Sequence, residues 1–291
     1  MKKLLVAAVI VALTGAHFAR PVVAAESQAQ TGTQPAAGTP APPTRGGNPV
    51  GVLGVVNALG QELPKVQVPT GPPPRLPDGT IDLGDGIWVG MTGGGGLAQG
   101  LKPGEELPLL PAATAKLAAR KDTEDPVQWC LPLGVVRGSP YPFRFIQNYT
   151  HKKPTHMYIM SEWMGSFRQI FMDGRKHPSE LELTWFGHSI GWYEGDTLVI
   201  DTIGFNDKFW LDRRGTPHTE QLHTIERWTR VDAGHLVREV TLNDPGAFSR
   251  PITFKSELTL SAPGDELIEY VCQENNQYGI ASGVITPTVG R

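Results

Sequence analysis

The chain has 291 residues, of which 40% are hydrophobic and 19% charged, and its formal net charge is −3. This length is sufficient for one large hydrophobic core or two small ones. A mildly acidic chain lacks the clustered lysines and arginines that bind phosphate backbones and anionic membranes, so nucleic acid and membrane surfaces are excluded as expected partners.

Residues 1–25 are typical of a secretory signal peptide. Lys2 and Lys3 precede an apolar run over residues 4–13, and small residues follow at positions 23–25. A retained membrane anchor is the alternative, but the run is shorter than the roughly 20 apolar residues that a spanning helix needs. Cleavage would remove Lys2, Lys3 and Arg20 and no acidic residue, which changes the formal charge from −3 to −6.

Three further regions follow in chain order. Residues 26–50 are rich in proline, alanine and glycine and are predicted to form a disordered tether. Residues 51–125 are predicted to form an N-terminal extension of loops with a strand ending near Val89 and one short helix at 111–121, where Pro111 suits the first turn. Residues 126–291 are predicted to form a β-rich domain.

That β-rich domain shows period-two alternation between turn signals. Strands are predicted at 155–163, 165–172, 183–193, 196–202, 221–230, 235–242, 252–260 and 266–273. About eight antiparallel strands in a meander favour a lipocalin-like β-barrel, with a β-sandwich as the alternative. The only cysteines, Cys130 and Cys272, are expected to form a disulfide in an oxidising compartment if the fold brings them together. A periplasmic or secreted location is therefore expected.

The segment between the strands at 196–202 and 221–230 concentrates aromatic, acidic and histidine residues, as functional loops often do. His218 is the candidate general base, and it is predicted to share a strand face with Glu220. Asp201 or Glu220 would orient the imidazole, and Arg227 or Arg168 would stabilise a developing oxyanion. This pattern predicts cofactor-independent acid–base catalysis of the lyase, isomerase or hydrolase type.

Aromatic and polar side chains near these residues are candidates for binding a hydrophobic, aromatic or sugar-like substrate. With Arg168, the predicted substrate-binding set is Tyr193, Phe205, Asn206, Trp210, His223 and Trp228.

Two other functions compete with acid–base catalysis. The same aromatic residues would also line the pocket of a non-catalytic, lipocalin-like periplasmic carrier. A zinc site formed by His218, Glu220 and His223 is a second alternative, although this spacing differs from the helical His-Glu-x-x-His motif. Ser189 lies in a Gly-x-Ser-x-Gly pattern, but the pattern leads into a strand, whereas a nucleophile elbow requires a strand-to-helix turn.

Several motifs give the chain a family resemblance. The stretch GWYEGDTLV at 191–199, followed by GFND at 204–207 and PHTE at 217–220, resembles the signature of a family of exported, largely uncharacterised bacterial proteins. The similarity spans roughly Cys130 to Asn276 and implies a shared fold and an exported location, with no activity attached. Tyr193 replaces the Trp of that signature and Thr219 replaces its Ser, so the pocket is expected to differ near these turns.

Overall fold

The fold is described from a computed structural model, which describes residues 67–90, 96–137, 141–150 and 153–272. The predicted signal peptide and tether, residues 1–50, lie outside the described residues. All of the described residues belong to one compact unit.

Nine strands follow one another around a closed barrel in chain order, which confirms the predicted mainly-β, lipocalin-like barrel. The strands are β1 (Trp88–Val89), β2 (Phe143–Thr150), β3 (Lys153–Ser161), β4 (Phe167–Phe171), β5 (His188–Glu194), β6 (Thr197–Ile203), β7 (His223–Arg230), β8 (His235–Asn243) and β9 (Ile252–Leu260). The barrel closes where Trp88 and Val89 of β1 pair with Leu260 and Thr259 of β9.

One strand pair departs from the predicted antiparallel meander. β4 and β5 are parallel and pair only through Ile170 with Ser189 and Phe171 with Ile190. Parallel neighbours need a long return connection, and residues 172–187 supply it by carrying the chain back before β5 begins. The first residues of β4 consequently have no strand partner on the β5 side.

One predicted strand, at 266–273, is wrong, and one observed strand, β2, is not predicted. Residues 266–272 form no strand, and this segment is held instead by the bond from Ile268 N–H to Glu162 Oε1 (3.0 Å). The sequence analysis also misses β2, because prolines precede it. Pro142 stands immediately before the strand, where a missing N–H costs no ladder bond. β1 lies within the predicted N-terminal extension, so that region contributes one strand to the barrel.

The helices are short and lie between β1 and β2. α1 spans Gly96–Gln99 and α2 spans Pro111–Ala119, with single 3-10 turns at Asp122–Glu124, Pro126–Trp129 and Trp163–Gly165. α2 ends before the predicted residue 121 because Arg120 has extended backbone angles. Among the described residues, no helix has the length and apolar character that crossing a membrane requires.

Two buried hydrophobic clusters form the core. The first lies inside the barrel and includes Trp88, Phe143, Phe145, Leu198 and Trp228. The second packs α1 and α2 against the barrel strands and the 203–222 segment, and it includes Leu97, Ala113, Phe205, Phe209 and Phe254. Burial alternates residue by residue along β7, so that Thr224, Glu226, Trp228 and Arg230 face inward. The barrel interior therefore contains charged side chains among its aromatic ones.

The predicted disulfide between Cys130 and Cys272 is confirmed. Their Cα atoms are 5.7 Å apart, and 142 positions separate them in sequence. The bond ties the segment before β2 to the segment after β9. Because structural disulfides persist in oxidising environments, it indicates an oxidising compartment.

Candidate functional site

A buried ion network occupies the barrel interior. Arg168 of β4 donates from Nη1 to Glu226 Oε1 (2.5 Å), and Arg238 of β8 donates from Nε to Glu226 Oε2 (2.8 Å). The Glu226 side chain is fully buried, and those of both arginines are nearly so. The formal charge of these three side chains together is +1.

Two hydroxyl groups hold the Arg168 guanidinium in place. Arg168 donates from Nε to Ser189 Oγ (3.1 Å) and from Nη2 to Thr202 Oγ1 (2.7 Å). Ser189 and Thr202 are paired on β5 and β6, and their hydroxyls lie 3.0 Å apart. With the bond to Glu226, these contacts use three of the five N–H donors of the guanidinium. Arg168 is therefore oriented and keeps donors available.

Charge and burial compete within this network. Burial acts to raise the pKa of Glu226, but Arg168 and Arg238 outweigh it and hold the pKa below its usual value. Burial lowers the pKa of Arg168, and Glu226 opposes that effect. Because an arginine pKa lies far above neutrality, the network keeps its net positive charge at pH 7.

An inner pocket opens next to the ion network. All three charged side chains line it, together with Trp163, Phe167, Phe186 and Trp228. The centres of water molecules have about 80 Å³ available in it, which is enough for several waters or a small chemical group. Within the described part of the chain, the buried Nε1 atoms of Trp163 and Trp228 have no hydrogen-bond partner. The pocket thus has mainly apolar walls with two arginines and one glutamate among them.

An outer cleft of about 350 Å³ lies between β4 and the 181–189 segment. It exists because β5 pairs only with the last two residues of β4. Phe167, Arg168 and Phe186 line both the cleft and the inner pocket, so the two cavities meet at Arg168. His188, Phe171 and Leu181 line the cleft alone.

A chain of hydrogen bonds joins three histidines and one aspartate beside the cleft. His188 Nδ1 lies 2.8 Å from His177 Nδ1, and His177 Nε2 lies 3.1 Å from Asp201 Oδ1. His223 Nε2 lies 2.8 Å from the same Asp201 oxygen. Burial acts to raise the pKa of Asp201, but His223 and His177 together lower it, while Asp201 raises the pKa of His223.

His188 differs electrostatically from its neighbours. Burial lowers its pKa, and the charges of His177 and Arg175 lower it further. Its ring stacks on Phe171 with centroids 5.0 Å apart and an interplanar angle of 23°. His188 is therefore an ordered, neutral imidazole at pH 7 at the edge of the cleft.

His218 lies away from both cavities. It is 1% exposed, and its ring centroid is 4.0 Å from that of Phe209. Its Nδ1 lies 3.2 Å from the Thr219 carbonyl oxygen, and burial lowers its pKa to about 4. The expectation that His218 and Glu220 share a strand face is wrong, because β7 begins only at His223. Glu220 lies exposed in a turn, and no hydrogen bond or ion pair among the described residues joins it to His218.

The other predicted site residues are distributed over the fold. Arg227 points outward and donates to Glu194 Oε2 (2.8 Å), and the Tyr193 hydroxyl donates to Gln147 Oε1 (3.5 Å). Four more are buried away from the cleft. Phe205 packs against Phe209, Trp210 lies beneath Arg120, Trp228 lies beneath Arg238, and Asn206 Oδ1 accepts a hydrogen bond from the Lys208 amide. Of these four, only Trp228 lines the inner pocket.

The structure brings Arg168, Asp201 and His223 close to the two cavities and adds residues that the sequence analysis misses. These are Glu226, Arg238, His177 and His188. Alternation along β7 places Glu226 on the same face as Trp228, but this pattern identifies Glu226 only once that face is known to be interior. His177 lies in the connection before β5 and carries no local signal. In the described part of the chain, no three His, Cys, Asp or Glu side chains, including the predicted His218, Glu220 and His223, are grouped to hold a metal ion.

The chain was compared with protein-family models, curated proteins and solved structures, and none of these matches it. The resemblance to exported bacterial proteins therefore remains an expectation from the sequence.

Proposed function

We propose that the barrel binds a small molecule with a carboxylate or similar anionic group, as an exported, lipocalin-like ligand-binding protein in the periplasm or outside the cell. One observation carries this proposal. The inner pocket is lined by apolar side chains and by two arginines, Arg168 and Arg238, which share Glu226 as their carboxylate partner.

The two guanidinium groups favour an anionic hydrogen-bond acceptor. A hydrogen bond to a charged group contributes roughly 1.5–3 kcal/mol. A carboxylate accepts several such bonds at once. Its binding would balance the formal charge of the Arg168–Glu226–Arg238 network.

The dimensions of the two cavities suggest how the ligand is arranged. The inner pocket holds a headgroup rather than a complete ligand, and the outer cleft is larger. Since both meet at Arg168, an apolar or aromatic body would extend from the headgroup past Phe167 and Phe186 into the cleft. Phe167 is 60% exposed, and its burial by such a body would be favourable.

This proposal is supported better than acid–base catalysis at His218. That histidine lines neither cavity and has no bonded carboxylate, and Glu220 is exposed. Arg227, the alternative oxyanion-stabilising residue, faces outward and is paired with Glu194.

Isothermal titration calorimetry with two isosteric probes tests the proposal. Phenylacetate should bind at least about 10-fold more tightly than neutral phenylacetamide, because only the anion balances the buried charge. Arg168→Met should weaken phenylacetate binding, since it removes the guanidinium that lines both cavities and leaves Glu226 and Arg238 as a balanced pair. Arg227→Met is the matched control, because its guanidinium lies on the outside and donates to Glu194. Equal affinity for the two probes would rule out an anion site.

A further inference from the structure

The histidine chain has a defined proton arrangement when its rings are neutral. Ionised Asp201 is only an acceptor, so the Nε2 atoms of His177 and His223 must both carry hydrogen. Neutral His177 then has a lone pair on Nδ1 and accepts the bond from His188 Nδ1–H. The remaining lone pair of His188 is on Nε2, for which the described residues provide no partner.

This arrangement resembles that of a histidine base supported by a second group. In such a system a carboxylate fixes the tautomer of an imidazole and stabilises the cation that forms on proton uptake. Here Asp201 acts on His188 through His177. His188 also lines the same cleft as Arg168, so a base and a fixed cation border one space.

We propose that the outer cleft catalyses proton transfer at the carbon next to the carbonyl group of an aromatic 2-oxo acid, with Nε2 of His188 as the base. This inference rests on the proposed anion site, because that site would hold the substrate's carboxylate at Arg168. His177 and Asp201 are positioning residues that orient His188.

The step is a balanced enolisation. His188 Nε2 takes the proton from the carbon next to the carbonyl, and the C–H electron pair becomes the new carbon–carbon double bond. The carbonyl π electrons move to oxygen, where the negative charge is stabilised by the unused N–H donors of Arg168. Protonated His188 then returns the proton to oxygen or to carbon, so no oxidant, reductant or cofactor is consumed.

The walls of the cleft suit the aromatic part of such a substrate. Phe171 stacks on His188, and Phe167, Leu181 and Phe186 supply further apolar surface. An aryl ring packed there would place the benzylic carbon between its own ring and the carboxylate. That carbon bears the most acidic protons of an arylpyruvate.

Deuterium exchange of phenylpyruvate at its benzylic position, followed by NMR in D₂O, tests this inference. The wild-type protein should accelerate exchange above buffer, and His188→Ala should reduce the acceleration at least about 100-fold. Added imidazole should restore part of the rate to His188→Ala. His235→Ala is the matched control, because His235 pairs with Asp232 and lines neither cavity.

The pH profile separates positioning from a purely structural role. The wild-type exchange rate should fall as pH drops through the lowered pKa of His188, and Asp201→Asn should both slow exchange and shift that midpoint. Arg175 and His177 of the connection lower the pKa of His188. The other charged groups near His188 are Arg168 of β4 and Glu182 of the cleft wall, which line the same cleft, and Asp201 of β6, which is bonded to His177.

Calorimetry with phenylpyruvate distinguishes the two proposals. If the wild-type protein binds phenylpyruvate but does not accelerate exchange, or if His188→Ala exchanges as fast as wild type, the catalytic inference is wrong and the binding proposal stands. If phenylacetate binds and phenylpyruvate does not, the catalytic inference is also wrong and the binding proposal stands; if neither binds, both proposals fail.

Discussion

Glu226 is a fully buried carboxylate that lies between two buried arginines, which makes it a sensitive residue of the barrel interior. Arg168 and Arg238 bind its two oxygens separately, so neither arginine can replace the other. Removing one partner of a buried ion pair lowers the free energy of unfolding by more than the intact pair contributes to it, because the remaining charge is left buried without a counter-charge. The consequence depends on which charge is removed.

Glu226→Gln should destabilise the protein by about 3–5 kcal/mol, because it leaves two arginines without a counter-charge. Arg238→Met should lower the free energy of unfolding by clearly less, since Arg168 and Glu226 remain as a balanced pair. Urea denaturation of both variants measures the difference. Added phenylacetate should recover stability in Glu226→Gln and not in Arg238→Met. An Arg238→Met variant as unstable as Glu226→Gln would show that charge balance does not govern this interior.

Because of His218, the free energy of unfolding should decrease as the pH is lowered. Its folded-state pKa, lowered to about 4 by burial, lies below the ordinary 6.5, so between these values the unfolded chain binds a proton that the folded chain does not. Its contribution is therefore complete above pH 6.5 and is lost as pH falls towards 4. We expect about 2 kcal/mol less stability at pH 5 than at pH 7 from this residue. His218→Phe should remove that part of the pH dependence in denaturation experiments, and an unchanged dependence would mean that the ring is protonated in the folded state.

At the scale of elements, the parallel pairing of β4 with β5 creates the functional region. It leaves Phe167–Gln169 without a neighbour on one side, opens the outer cleft and brings His177 over the outer ends of β5 and β6. Period-two alternation predicts β8 and β9 nearly to the residue, because one face of each strand is consistently buried. Strand direction depends on the connection, and residues 172–187 have no periodic pattern that would indicate a return.

The residues of the candidate functional site are limited in the same way, because the sequence does not show which strand face is interior. Alternation identifies Arg168 as a polar residue within a strand, but both faces of β7 carry large side chains, and the sequence does not show which face is interior. Glu226 was consequently missed, although Arg227 beside it was selected. The expected role of His218 relied on a strand that begins five residues later, at His223.

Gly187 lies at the end of the connection, immediately before His188, and its backbone is closely packed. Its φ is +64°, and an added Cβ would lie 2.6 Å from the Ile203 carbonyl oxygen. Gly187→Ala should therefore combine backbone strain with a steric clash and cost more than about 1 kcal/mol. Gly174→Ala is the control in the same connection, since its φ is +80° and an added Cβ meets nothing within 4 Å. If the two variants lose the same stability in thermal unfolding, the close approach to the Ile203 carbonyl does not restrict the side chain at position 187.

At the scale of the whole molecule, the barrel and its disulfide are the features that could be predicted best. Regular strands between turn signals indicate a closed sheet, and two cysteines permit only one pairing. Whether the cysteines approach each other depends on barrel closure, which brings the chain before β2 near the chain after β9. Sequence separation alone contains no such information.

Loss of the disulfide should destabilise the molecule without changing the barrel topology. The Cys130→Ala, Cys272→Ala double variant should lose about 2–5 kcal/mol of unfolding free energy, because the unfolded chain is no longer closed into a long loop. Wild-type protein under reducing conditions is the matched control and should lose a similar amount. Circular dichroism should still report a β-rich fold for both. A loss of stability in the double variant that reduced wild type does not share would show that the substituted side chains, rather than the crosslink, account for it.

The central claim is that excess positive charge in the barrel interior recruits an anionic ligand. Calorimetric titration of phenylacetate into wild-type protein and Arg238→Met tests it most directly, because that variant removes the excess charge and keeps a balanced ion pair. We predict single-site binding to the wild type and an affinity at least about 10-fold lower for Arg238→Met. Equal phenylacetate affinity in the two folded proteins would contradict the claim.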